Sequence, residues 1–308
     1  MSRQERTKVL NEIVIGKKLK VPGICYGLGL IYNDLFSIRG LLEGASDPGL
    51  YRSDLRKALT LKQVLSEEKK VFLDTSAAYG IAEATIGKLL SGIDRRRVTV
   101  CTKLSAGDML RSGRNIKQAY QRSIDRMGIE YADIYLMHWS VTKNYLDVWR
   151  QMEELYEKNE SIKAIGVCNC HIHHLQALLK NCRVKPMIHQ MEVHPLFTQQ
   201  EEREFCVQNG IQVMAYTPLA RNDDRLKNSR LLNRIARKKG KTVSQVIVRW
   251  HIQLGNIPCI STGNLKHYRE NTNVYDFILS DREMEQISGL NLNSRLRYDS
   301  DHCDFWEL

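Results

Sequence analysis

The chain has 308 residues, 43% of them apolar and 26% charged, with a formal net charge of +11. These proportions belong to a globular chain with a large core and exclude a disordered one. A basic excess admits a nucleic acid, an anionic membrane face or an anionic ligand. Here it is scattered, and its densest runs, Arg95–Arg97 and Arg237–Lys239, fall where helices are predicted to end, a favourable place for cations. Neither a nucleic-acid nor a membrane partner is expected.

The opening residues carry no signal-peptide pattern, and no run approaches the roughly 20 apolar residues that span a bilayer. Eight cysteines contain no C-x-x-C pair, and several sit in apolar runs such as Pro258-Cys259-Ile260. That usage fits buried free thiols in a reducing compartment. A cytoplasmic protein is expected.

In chain order, Val9–Val14 and Lys18–Val21 flank Gly16, a hairpin signal. Eight short strands are predicted next: Ile24–Leu28, Val71–Asp74, Val98–Lys103, Asp133–His138, Ile162–Val167, Met187–Met191, Ile211–Tyr216 and Ile257–Ile260. Apolar residues at helical spacing predict helices between them: Leu55–Leu65, Glu83–Leu90, Ile116–Met127, Tyr145–Tyr156, His174–Leu179, Gln200–Val207, Ser244–His251 and Asn264–Asn271. Ser280 caps a last one, Asp281–Leu290. Eight β-then-α units in a chain of this length predict one domain over residues 1–308, a closed (β/α)8 barrel. A doubly wound open sheet is the competing architecture. A long segment between Leu30 and Leu55 follows the first strand, where a functional lid or a plain packed loop would sit.

Barrel active sites lie at the C-terminal strand ends. Successive parallel strands place Asp74, then Tyr79 in the following turn, then Lys103, then His138 on one rim. Each has an ordinary reading alone: a turn cap, a packed phenol, a lysine reaching solvent, a bonded core histidine. Together they describe carbonyl reduction. Hydride addition leaves an alkoxide that needs a proton. A phenol, with pKa near 10, gives one more readily beside an ammonium. A carboxylate behind the ammonium holds it charged, and a neutral imidazole can orient the carbonyl oxygen.

The run Phe72-Leu73-Asp74-Thr75-Ser76-Ala77-Ala78-Tyr79-Gly80 with Glu83, Ile86 and Gly87 resembles the aldo-keto reductase signature. Asp74, Tyr79, Lys103 and His138 match that family's tetrad in order. Ile165-Gly166-Val167-Cys168-Asn169, Gln190 with Glu192 and His194-Pro195, Ala215-Tyr216-Thr217-Pro218-Leu219, and Glu270-Asn271 continue the likeness over nearly the whole chain. The resemblance implies a (β/α)8 barrel with an N-terminal β-hairpin closing its bottom. It also implies a monomer that reduces small aldehydes or ketones with a nicotinamide cofactor.

It further implies a cofactor site. Gly29 and Leu30 would border the nicotinamide with Asp74. Asn169 and Gln190 would hold its carboxamide, and Tyr216 would stack on the ring, with Thr217 and Leu219 beside it. Cys168 stands where the family has Ser. At the adenine end, Ser261, Thr262, Gly263 and Asn264 lead into a helix N-terminus, an anion site, and Glu270 and Asn271 match adenine contacts. Ser261 and His267 replace the usual Lys and Arg that grip the 2′-phosphate, with Lys266 and Arg269 nearby as substitutes. NADP(H) is the favoured cofactor and NAD(H) the alternative. The substrate pocket would be lined by Trp139, Tyr32 of the long segment, and the tail Arg297–Leu308 with Tyr298, Phe305 and Trp306.

The run Cys168-Asn169-Cys170-His171-Ile172-His173-His174 holds metal-ligand types but matches no zinc spacing, and no metal is expected. Two rival functions stay open. One is a cofactor-binding redox sensor or regulatory subunit with little turnover. The other is a Schiff-base aldolase using Lys103.

Overall fold

The computed structural model describes residues 11–16, 18–30, 48–111, 115–140 and 144–303. Strands such as Val71–Asp74, Ile134–Met137 and Ile257–Ile260 are buried at every position. A strand apolar on both faces must be covered on both, and a barrel ringed by helices does this. The eight parallel strands are β3 (Cys25–Gly27), β4 (Val71–Asp74), β5 (Val98–Leu104), β6 (Ile134–Met137), β7 (Ala164–Cys168), β8 (Ile188–Glu192), β9 (Gln212–Tyr216) and β10 (Ile257–Ile260). They close in chain order, with β10 returning to pair with β3. The open-sheet alternative is thereby excluded.

Two cores follow from strand alternation. The inner one gathers Cys25, Phe72, Cys101, Leu136, Ile188, Met214 and Cys259 inside the barrel. The outer one fills the space between strands and helices, with Leu73, Val100, Tyr135, Trp149 and Trp250 among its members. The predicted hairpin forms from β1 (Glu12–Ile15) and β2 (Leu19–Pro22), turning at Gly16 with a left-handed φ of 57°. Ile15 and Val21 join the inner core, so the hairpin plugs the barrel. Residues 9 and 10 of that expectation lie outside the described residues. Gly166 on β7 and Gly87 between two helices admit no side chain, because a Cβ would strike backbone of Ile188 or of Met127.

The helix Ile116–Met127 has its predicted bounds, and the first described helix begins earlier than expected, at Pro48. A strongly amphipathic helix, Arg230–Lys239, was not among the helix candidates. Its C-terminal Arg237–Lys239 does end a helix, as expected. Arg95–Arg97 instead forms a single 3-10 turn entering β5, where Arg95 pairs with Asp133 at 2.7 Å. The helix before it has already stopped at Leu90. No described helix is long and apolar enough to cross a membrane. All eight cysteines are free, six of them buried.

Candidate active site

The same alternation that fills the barrel builds the site. Two residues beyond Phe72, Cys101, Leu136 and Met214 on their inward ladders stand Asp74, Lys103, His138 and Tyr216. The register sets Asp74 opposite Cys101 and Lys103 opposite Leu136. The last inward position on these chains is therefore polar at the strands' C-terminal ends. Tyr79 is delivered from the turn after β4, whose Tyr79 N–H donates to Ser76 O at 3.0 Å.

Lys103 is fully buried. Its Nζ donates to Asp74 Oδ1 at 2.6 Å and to Thr75 O at 2.7 Å. Burial pulls its pKa down; the Asp74 carboxylate, joined by Tyr79 and the Cys101 and Cys168 thiols, outweighs this and holds the ammonium well above its ordinary range. A lysine kept charged is no Schiff-base nucleophile at neutral pH, which removes the aldolase reading. Asp74 also accepts from Gln190 Nε2 at 3.0 Å and, more weakly, from Cys259 Sγ at 3.8 Å.

Lys103 Nζ sits over the Tyr79 ring, 5.2 Å from its centroid. Both of its hydrogen bonds go elsewhere. The ammonium expected to ease proton release does not win at the phenol on balance. Burial pushes Tyr79 up to about 12, with Lys103 pulling the other way and Asp74 adding to the rise. The phenol thus rests protonated, and the ammonium is placed to favour the phenolate as it forms. His138 is held well below its ordinary pKa by burial, then by Lys103 and Arg297, so its ring is neutral. Its Nε2 lies 3.4 Å from the Tyr79 hydroxyl, with the rings edge-to-face.

Asp74, Tyr79 and His138 open onto one cleft of about 750 Å³, also lined by Gly29, Leu30, Trp139, Asn169, Gln190, Tyr216, Thr217 and Ser261, with Lys103 buried behind them. Asn169 and Thr217, just past β7 and β9, hold left-handed φ values of 55° and 46°. Such a conformation is costly for a β-branched residue and gathers at functional sites. Tyr216 donates to Asn169 Oδ1 at 2.7 Å, and Asn169 Nδ2 donates to His138 O at 3.1 Å. Thr217 Oγ1 is buried without a partner among the described residues.

Other expected positions stand apart from the cleft wall. Cys168 is fully buried behind the cleft wall, its Sγ 3.9 Å from Gln190 Oε1. Leu219, Thr262, Gly263, Asn264, His267, Glu270 and Asn271 do not line it. Asn264 caps the helix Leu265–Thr272, its side chain accepting from Lys266 N–H at 2.9 Å. Arg269, expected to substitute at a phosphate, instead grips Glu67 with both bonds under 3 Å. Tyr32, Phe305 and Trp306, with most of the long segment, lie outside the described residues.

Sequence reasoning missed Lys57 and gave Ser76 no role, while the expected tail does reach the cleft. Lys57 lines the cleft and bonds Asp54 at 2.9 Å, an i,i+3 pair visible in the sequence. Arg297 and Tyr298 line it from the tail. That tail is anchored by Leu296 and Arg297 N–H groups on Glu192, at 2.7 and 2.9 Å, and by Ser300 Oγ donating to Asn169 O. His171 Nε2 meets Asp299 at 2.8 Å, and His173 Nε2 meets Asp301 at 3.2 Å. Two three-residue sets here, His173-His174-Asp301 and His171-Asp299-Asp301, have ligand-type atoms within 4.8 Å. His174 Nδ1 already accepts from His171 N–H at 3.2 Å. That bond leaves the proton of the neutral ring on Nε2 and withdraws that nitrogen from ligation.

A closed β/α barrel carrying a buried ammonium–carboxylate pair beside a protonated phenol is the frame of a barrel oxidoreductase. The chain matches the Aldo/keto reductase family over residues 51–292. It is 39% identical to the 9,11-endoperoxide prostaglandin H2 reductase of Trypanosoma cruzi, over 75% of this chain and 81% of that protein. It is 37% identical to a glyoxal reductase of Bacillus subtilis, over 76% and 83%. The crystal structure of a Bombyx mori aldo-keto reductase in complex with NADP superposes with a TM-score of 0.78 at 25% identity, covering 94% of this chain and 95% of that one. The chain belongs to the aldo-keto reductase family and is an oxidoreductase acting on carbonyl groups.

Proposed function

We propose that this protein reduces small aldehydes and ketones with a nicotinamide cofactor, NADPH in preference to NADH, and that Tyr79 is the proton donor. The observation that carries this reading is the buried 2.6 Å Lys103–Asp74 pair set against the face of a protonated Tyr79 at the cleft floor.

The cleft suits the cofactor by its chemistry. Its volume falls in the range of ligand pockets. Asn169 and Gln190 offer amide groups, Tyr216 an aromatic face, and Thr217 a buried hydroxyl with no partner of its own among the described residues. Lys57 at the cleft wall and the N-terminus of Leu265–Thr272 favour bound phosphate. The silkworm relative crystallised with NADP supports NADPH. Ser261 and His267 offer less charge than Lys and Arg, which keeps NADH as the alternative.

The reduced nicotinamide supplies the hydride. His138, neutral and facing Tyr79, orients the carbonyl oxygen. Tyr79 gives its phenolic proton to that oxygen, and Lys103 stabilises the phenolate left behind. Asp74 keeps Lys103 charged and fixed. The glyoxal reductase relative makes small dicarbonyls the first substrates to try.

The test is titration of the protein with NADPH and NADH, followed by protein fluorescence, with turnover measured on glyoxal and a panel of aldehydes. Tighter binding of NADPH and turnover on the panel are expected. Tight binding with no turnover on any carbonyl would instead favour the redox-sensor reading.

A further inference from the structure

The turn that presents Tyr79 also touches the imidazole. Ser76 is 1% exposed, and its Oγ lies 3.1 Å from His138 Nδ1. The same oxygen accepts from Ala78 N–H at 3.1 Å. Ser76 O accepts from Tyr79 N–H. One residue thus ties together the turn carrying the proton donor and the ring that faces it.

Resting on the reductase reading above, we propose that Ser76 is a positioning residue that selects the tautomer of His138. Its hydroxyl donates to Nδ1, so the imidazole carries its proton on Nε2, the nitrogen facing Tyr79 and the cleft.

The hydrogen inventory leads there. A serine oxygen has one donor and two acceptor sites. Ala78 N–H takes one acceptor site. The hydroxyl proton then needs an acceptor, and His138 Nδ1 is the one within reach among the described residues. If Nδ1 carried the proton instead, it would occupy the second acceptor site. The Ser76 proton would then be a buried donor with nothing to meet, an arrangement folded proteins avoid. Flipping the ring would put a carbon against Ser76 and lose the same bond. The rest of the histidine is fixed as well: its N–H donates to Leu104 O at 3.2 Å, and its C=O accepts from Asn169 Nδ2. Ser76 therefore acts on the one freedom left, the position of a single proton. With that proton on Nε2, His138 can donate to a carbonyl oxygen lying between it and Tyr79. With it on Nδ1, the ring would present a lone pair and repel that oxygen.

The decisive measurement is the nitrogen NMR spectrum of the full-length protein labelled with 15N-histidine, the His138 signals being assigned by loss in His138→Gln. The expected spectrum shows an unprotonated Nδ1 and a protonated Nε2. In Ser76→Ala the two tautomers mix, kcat falls about tenfold, KM for the carbonyl rises, and NADPH affinity holds. Ser76→Thr, which keeps the hydroxyl, restores the single tautomer. A protonated Nδ1 in the wild-type protein overturns the proposal, as does a Ser76→Ala variant whose tautomer is unchanged. The wild-type spectrum can still overturn the proposal if the alanine variant does not fold. Absence of carbonyl turnover in the wild-type protein would count against the reductase reading and leave the tautomer still readable.

Discussion

The two ends of the cleft are built on different terms. At the reaction end, β4, β5 and β6 deliver Asp74, Lys103 and His138 from consecutive inward ladders, all buried, with Lys103 bonded to Asp74 and His138 to Ser76. At the far end, past β10, Ser261, Asn264 and His267 are exposed. The cations there spend themselves on protein carboxylates, Arg269 on Glu67 and Lys266 toward Glu270 at 4.0 Å. Chemistry is set where strand order leaves no choice of neighbour. Phosphate grip is left to surface side chains that can change partner at little cost.

Lys103→Met would strike the rigid end hardest. It leaves the Asp74 charge buried and unpaired, with a stability loss of about 3–5 kcal/mol by denaturant titration. Turnover should fall about 10²–10⁴-fold with the loss of Tyr79's activator. The double variant Lys103→Met, Asp74→Asn should recover part of the stability and none of the turnover. A Lys103→Met protein as stable as the original would erase the contrast between the two ends.

At the far end, Glu67→Gln releases Arg269 from an exposed pair. Surface pairs of this kind are worth up to about 1 kcal/mol, so NADPH should bind up to about fivefold tighter, with NADH unchanged. Equal gains for both cofactors would mean that Arg269 does not read the extra phosphate.

The smallest expected effect is at the tail. His171 is raised above its ordinary pKa chiefly by the Glu202 carboxylate, 4.0 Å away, and by Asp299, with Asp301 adding and burial opposing; His173 and His174 share the cluster. A folded pKa above the unfolded value means stabilisation that is full below about pH 6.5 and lost as pH rises through the higher value. Asp299 is lowered, so its share is lost only in acid, as pH falls through its folded pKa. Protection of the amides over residues 295–301, relative to their intrinsic exchange rates, should fall as pH rises above about 6.5, and His171→Gln should flatten that fall. A pH-independent tail would leave the histidines without this role.

The rigid end was the legible one. Strand alternation and the parallel order of consecutive strands were enough to bring Asp74, Tyr79, Lys103 and His138 together. The hairpin followed from Gly16 and the alternation around it. Ser76 was visible only as part of a motif, because its partner lies 62 positions away. The tail's anchors are farther still, 104 positions between Glu192 and Leu296 and 128 between His171 and Asp299. No local pattern carries such pairings. The left-handed turn at Thr217 falls on a β-branched residue, a type that avoids that conformation, so nothing local announced it; Asn169 is of a type that tolerates it. The helix Arg230–Lys239 had its signals in Ser229 and Gly240, which cap it. The balance at Tyr79 was misjudged because burial, which outweighs Lys103 there, is a property of the assembled barrel.

The central claim is that the phenol of Tyr79 delivers the proton while other residues hold the cofactor. Tyr79→Phe isolates it, since only one oxygen is removed. NADPH affinity by fluorescence titration should remain that of the original protein, and carbonyl turnover should drop about 10²–10⁴-fold. Turnover close to the original with NADPH still bound would contradict the account.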